Sequence, residues 1–176
     1  MNLSTLFRLG ENLNLDRKTL IILRWIALLG QLIAINLVYF FLKLEFPILI
    51  AYAIILLGVS SNLFLQLGIK SIQLKDFYAS SFLTFDLIQL SLLLYLTGGI
   101  SNPFSILMII PTIVSSTFLS MGSTIVLGVL TVCFLFLLTI FHHPLPGIHD
   151  GSVAFPRLYL IGYFIALAVG LLFLRY

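Results

Sequence analysis

The sequence predicts an all-α, polytopic membrane protein: a bundle of six transmembrane helices with both termini in the cytoplasm. Two observations carry this class. Of the 176 residues, 61% are hydrophobic and 9% charged, with a mean hydropathy of +1.19. Soluble domains carry about 25% charged residues, and disordered chains are poor in apolar ones, so both classes are excluded. Apolar runs near the length of about 20 residues that crosses a bilayer recur along the chain. They leave no room for a catalytic domain of about 100 residues.

The runs fall near Leu20–Leu42, Phe46–Leu67, Ala79–Thr97, Pro103–Ser120, Thr124–His142 and Pro156–Leu174. Residues 1–19 precede them as a cytoplasmic or interfacial segment, and residues 20–176 make up the six-helix domain. Leu3, Leu6 and Phe7 recur at helical spacing, which fits a short interfacial helix or a frayed terminus. The first run outlasts a signal-peptide core and lacks a small-residue cleavage site. Uncharged Ser120-Met121-Gly122-Ser123 is read as the turn of a hairpin between spans four and five. One unbroken helix there would be too long and would contain Pro111. Pro111 is expected to kink span four and free backbone carbonyls one turn earlier. The single cysteine, Cys133, lies in span five and forbids an internal disulfide.

Charge sets the orientation. Arg8, Arg17, Lys18, Arg24, Lys70, Lys75 and Arg175 fall on one side, against Lys43 and Arg157 on the other. The positive-inside rule then places both termini in the cytoplasm and the loops after spans one, three and five outside. The scattered cations form no basic patch, so no nucleic acid partner is expected. The chain ends at Leu174-Arg175-Tyr176, where span six leaves the bilayer. This is expected of a domain cut from a longer protein, with span six leading to a cytoplasmic part.

Arg24 and Asp86 are the charged residues well inside apolar runs. At about 1.5 Å per residue they lie roughly 6 Å and 10 Å from the cytoplasmic starts of spans one and three. Asn62 falls at a similar depth. An inner-leaflet cluster of Arg24, Asp86 and Asn62 is expected, with Gln31 and Gln89 one or two turns outward. Such a cluster either holds three helices together, with Arg24 snorkelling, or has Asp86 titrating with signalling state. Gly162, Ala166 and Gly170 form a small-residue stripe on span six, suited to packing within the monomer or to a dimer contact. His142, His143, His149 and Asp150 have ligand chemistry without regular ligand spacing, so no metal is expected.

The most informative segment is the turn from Tyr95 to Phe104. Gly98 and Gly99 suit the left-handed close of a helix, Asn102 suits an N-cap, and Pro103 suits the first helical position. The segment is thus a well-made turn without any ligand. It also offers backbone N–H groups, the amide of Asn102 and the ring of Phe104, with no charge. These suit a flat, neutral, lipid-soluble molecule with carbonyl acceptors, such as a quinone hydrogen-bonded by backbone or Asn102 and stacked on Phe104.

Gly98-Gly99-Ile100-Ser101-Asn102-Pro103-Phe104 resembles the GGxxNPF signature of the RegB/PrrB/ActS group of redox-responsive sensor histidine kinases. Leu23-Arg24-Trp25 and the stretch from Asp86 to Leu96 are similar to that family as well. The resemblance implies the sensor domain of a two-component kinase in the bacterial inner membrane, homodimeric, with a membrane quinone (ubiquinone or menaquinone) as sensed ligand. Gly98, Gly99, Asn102, Pro103 and Phe104 would bind it. It further implies that ATP binding, the phosphorylated histidine, the family's redox-active cysteine and the contact with a response regulator belong to a kinase region outside this chain. Cys133 does not inherit that cysteine's role, and this chain itself is expected not to be an enzyme. The competing class, a small transporter or channel subunit, would call for internal repeats and paired broken helices; the two halves do not repeat.

Overall fold

The computed structural model describes residues 15–41 and 46–143 of the chain. Among them the protein is all-helical, apart from an isolated bridge between Asp16 and Gln73. Helix α1 is Arg17–Asn36, extended by a π-helical turn at Leu37–Phe41. Helices α2, Ile48–Gly68, and α3, Asp76–Leu96, follow. After α3 come 3₁₀ turns at Gly99–Ser101 and Pro103–Ile109, then α4, Ile110–Phe118, and α5, Met121–Ile140. The four long helices are apolar enough to cross a membrane, and the segment Phe104–Phe118 is shorter. Span six, with Gly162, Ala166 and Gly170, lies outside the described residues, as do His149, Asp150 and the segment around Leu3.

Helix α3 is the hub. Ala79 and Leu83 pack with Leu20, Leu65 and Leu127, joining α1, α2 and α5. Leu93 and Leu96 pack with Leu28, Ile35 and Ile54 of α1 and α2. Leu87 and Leu94 pack with Met108, Leu135 and Leu138. Side-chain pairs give the directions. Arg24–Ser61 and Tyr52–Asn36 set α1 antiparallel to α2, and Thr112–Thr131 with Ser115–Thr124 set α4 antiparallel to α5. Two features tie the ends together. Asp76 at the start of α3 accepts from the Ser120 backbone and from the hydroxyls of Ser120 and Ser123, holding the α4–α5 turn. Arg17 donates to the carbonyls of Gln66 and Ile69 where α2 ends, favourable for a cation at a helix C-terminus.

Span four departs from expectation. It is not an α-helix kinked at Pro111: a seven-residue 3₁₀ stretch precedes α4, and Pro111 sits in the first turn of α4. Proline has no N–H for the carbonyl four residues back, which is that of Leu107. Instead the Ile110 N–H donates to Leu107 O, a 3₁₀ bond, so the carbonyl expected to be free is satisfied. The 3₁₀ stretch also rises about 2.0 Å per residue, so Pro103–Phe118 reaches about 28 Å where α-helix alone gives about 24 Å. That approaches the hydrocarbon thickness of about 30 Å.

Candidate functional site

The site begins with the turn that closes α3. Gly98 (φ 103°) and Gly99 (φ 58°) both take the left-handed conformation. Gly99 also presses on the end of α5: a Cβ there would lie 2.6 Å from His142 Cβ and from the Leu138 carbonyl oxygen. The His143 N–H donates to Tyr95 O at 2.8 Å, so the ends of α3 and α5 are bound together at the turn. Asn102 then starts the 3₁₀ stretch. Its Oδ1 accepts from Phe104 N at 2.9 Å, while Nδ2 donates to Thr97 O at 3.1 Å and Thr97 Oγ1 at 2.8 Å. The amide nitrogen is therefore bonded inside the turn. Asn102 thus shapes this turn through Thr97 and the Phe104 N–H.

A 3₁₀ helix has three residues per turn, so side chains three apart align. Phe104, Leu107 and Ile110 form one such row, while Ser105 and Met108 on the next are buried. The first row walls a cavity of about 350 Å³ over α3, between α1 and the 3₁₀–α4 segment. Ala27, Gly30 and Ala34 line it from α1, and their small size leaves the width. The cavity runs from Thr97, Asn102 and Phe104 at the turn to Arg24 and Asp86, with Gln31 also lining it. Gly98 and Gly99 do not line it; they set the backbone that does. Pro103 is the first residue of the 3₁₀ stretch. From Asp86 to Thr97 the floor is about 16 Å long, at about 1.5 Å per residue.

At the far end Arg24 and Asp86 are paired, with Arg24 Nη1 buried and unpartnered among the described residues. Arg24 Nε lies 2.9 Å from both oxygens of Asp86, and Nη2 lies 2.7 Å from Oδ1 and 3.0 Å from Ser61 Oγ. Arg24 is 3% exposed, with its Cζ 5.1 Å from the ring centre of Phe82. Asn62 is not part of this pair. Its Nδ2 donates to Ile21 O at 3.3 Å, and Ser61 takes the place expected for it. One to two turns along, Gln89 Nε2 donates to Gln31 Oε1 at 3.0 Å. This amide pair passes over Gly58 of α2, where a Cβ would come within 2.6 Å of Gln89 Nε2 and of Leu28 Cδ2. Among the described residues no group of His, Cys, Asp and Glu is arranged to hold a metal ion.

The chain is 35% identical to the sensor histidine kinase RegB of Cereibacter sphaeroides over 158 residues, 89% of its own length. The chain belongs to the RegB family of sensor kinases. It spans 34% of that relative's length and corresponds to a membrane domain. No family profile matches it, and no solved structure does. In this RegB-family domain the residues that sequence reasoning overlooked are Gly30, Ser61, Thr97, Leu107 and Ile110. Thr97 had a signal, since a hydroxyl at a helix end beside glycines is a ready local hydrogen-bonding group. The row of Phe104, Leu107 and Ile110 had none, because an α-helix sets Ile110 about 120° round from Phe104 and only the 3₁₀ course aligns all three.

Proposed function

We propose that this chain is the input domain of a two-component sensor histidine kinase and that it reads the redox state of the membrane quinone pool. A quinone, ubiquinone or menaquinone, enters the cavity with its ring against Phe104 and its isoprenoid tail along the apolar wall of Leu107 and Ile110. The observation that carries this reading is the cavity itself: an apolar space of about 350 Å³ with Phe104 and Asn102 of the turn at one end. Ligand sites of this size are mostly apolar with a few placed polar groups, as here. In this reading all six spans cross a bacterial inner membrane with both termini in the cytoplasm. Span six carries the signal to an ATP-dependent kinase region and from there to a response regulator, within a homodimer.

The test is saturable quenching of the sole tryptophan, Trp25 on α1, by decylubiquinone and by a short-chain menaquinone, using the whole 176-residue chain in micelles. Phe104→Ala removes an aromatic contact worth about 0.5–1.5 kcal/mol and weakens binding about twofold to tenfold. Saturation with unchanged affinity in Phe104→Ala refutes the placement of the ring.

A further inference from the structure

Along the cavity the polar groups divide by whether their hydrogens are already used. At the turn, the Asn102 amide nitrogen donates to Thr97 O and Oγ1, and the Thr97 hydroxyl donates to Leu93 O at 2.8 Å. At the other end, the Arg24 Nε and Nη2 groups are held by Asp86 and Ser61, and Nη1, a charged donor, is buried without a partner among the described residues. Gln31 differs. Its Oε1 accepts from Gln89, and its Nε2 has no hydrogen-bond partner among the described residues. Gln31 lines the cavity and Gln89 does not. Beside it Gly30 lines the same cavity, and a Cβ added there would meet nothing within 4 Å.

We infer that Gln31 is the hydrogen-bond donor to a carbonyl oxygen of the bound quinone, with Gln89 as the positioning residue that fixes its amide and Gly30 as the gap that admits the ring. This rests on the quinone reading and moves the polar contact from the turn to the middle of the cavity. The chemistry matches at each point. A quinone is neutral and offers only acceptors, and an unused N–H in an apolar space is the complement of one. Gln89 is 4% exposed and wedged over Gly58, so its grip on Gln31 Oε1 costs no freedom when a ligand arrives. Ala27 and Ala34, one turn either side of Gly30 and Gln31, keep the approach open.

The experiment uses the whole chain in micelles with decylubiquinone as probe, reading affinity by Trp25 quenching and the bound carbonyl stretch by infrared difference spectroscopy. Gln31→Met is expected to weaken binding about threefold to tenfold, the worth of one hydrogen bond. It also returns the bound carbonyl band from its lowered frequency toward that of the unbonded quinone, which a loss of packing alone would not do. Gln31→Glu keeps the oxygen that meets Gln89 and replaces the donor with an acceptor, so it loses the lowered band with the amide contact retained. Gly30→Leu fills the gap with Gln31 and Gln89 intact and abolishes saturable quenching. An unchanged affinity and band in Gln31→Met and Gln31→Glu, with binding weakened by Phe104→Ala, overturns the assignment of Gln31 and leaves the quinone reading standing. Absence of saturable binding to the unaltered chain overturns both.

Discussion

The two ends of the cavity handle buried polarity in opposite ways. The Arg24–Asp86 end brings full charges from two helices and neutralises them across sequence distance, with Ser61 from a third. The Gly98–Phe104 end holds no charge and satisfies its groups within a few residues, through two left-handed glycines and one asparagine. The turn closes on itself, whereas the charged end leaves Arg24 Nη1 buried without a hydrogen-bond partner among the described residues. The difference teaches that a motif rich in apparent donors is not thereby a donor site: local closure uses them. The uncharged donor that remains for a ligand lies in the middle, where one amide is held by only one of its ends.

The comparison breaks most visibly at the charged end. Arg24→Met leaves Asp86 without its cation in a buried setting, and loss of one partner of such a pair costs about 3–5 kcal/mol. The expected result is a lowered unfolding midpoint in detergent titration. The double variant Arg24→Met with Asp86→Leu loses less than Arg24→Met alone, because no uncompensated charge is left. A double variant whose loss equals the sum of the losses of Arg24→Met and Asp86→Leu would mean that the pair adds no coupling.

At the turn the expected cost is smaller and steric. Gly99→Ala forces a side chain into φ 58° and sets its Cβ 2.6 Å from His142 Cβ and Leu138 O. The left-handed conformation costs about 1–2 kcal/mol and the overlap about as much again, so a loss of about 2–4 kcal/mol is expected in the same titration. A change below 1 kcal/mol would show that the turn is not seated on α5 as described. The smallest effect sharpens the contrast. Gly30→Ala meets open space and gains up to about 1 kcal/mol of helix propensity, so stability holds or rises. Its quinone affinity falls less than that of Gly30→Leu, because one methyl takes little of the cavity. Destabilisation by Gly30→Ala would show that the space beside it is filled.

How much of this was legible in the sequence follows from the range of each interaction. The ends of α2 and α3 fall within about three residues of the apolar runs, because hydropathy and length are read directly. The left-handed Gly98 and the capping Asn102 were legible because capping geometry is set by residues two or three apart. The 3₁₀ course of Pro103–Ile109 was not. Pro111 announces a disruption, but whether the helix bends or rewinds depends on what packs against it, here Leu135 and Leu138 against Met108. Arg17 was legible as a cation near the membrane surface, and its capping of α2 was not, since that needs the ends of two helices in register.

The sequence by itself determined the medium and the local joints. A chain with 61% hydrophobic and 9% charged residues buries its backbone polarity in apolar helices, and the turn chemistry between Tyr95 and Phe104 is written in consecutive residues. Tertiary structure alone decided the site. The cavity exists because α1 and the 3₁₀–α4 segment flank α3 without closing over it, and because rewinding aligned Phe104, Leu107 and Ile110. It also decided that Ser61 and not Asn62 completes the ion pair, and that the Gln31 amide nitrogen has no partner among the described residues. Those outcomes depend on helices brought together from distant parts of the chain, whose rotation about their own axes no local pattern specifies.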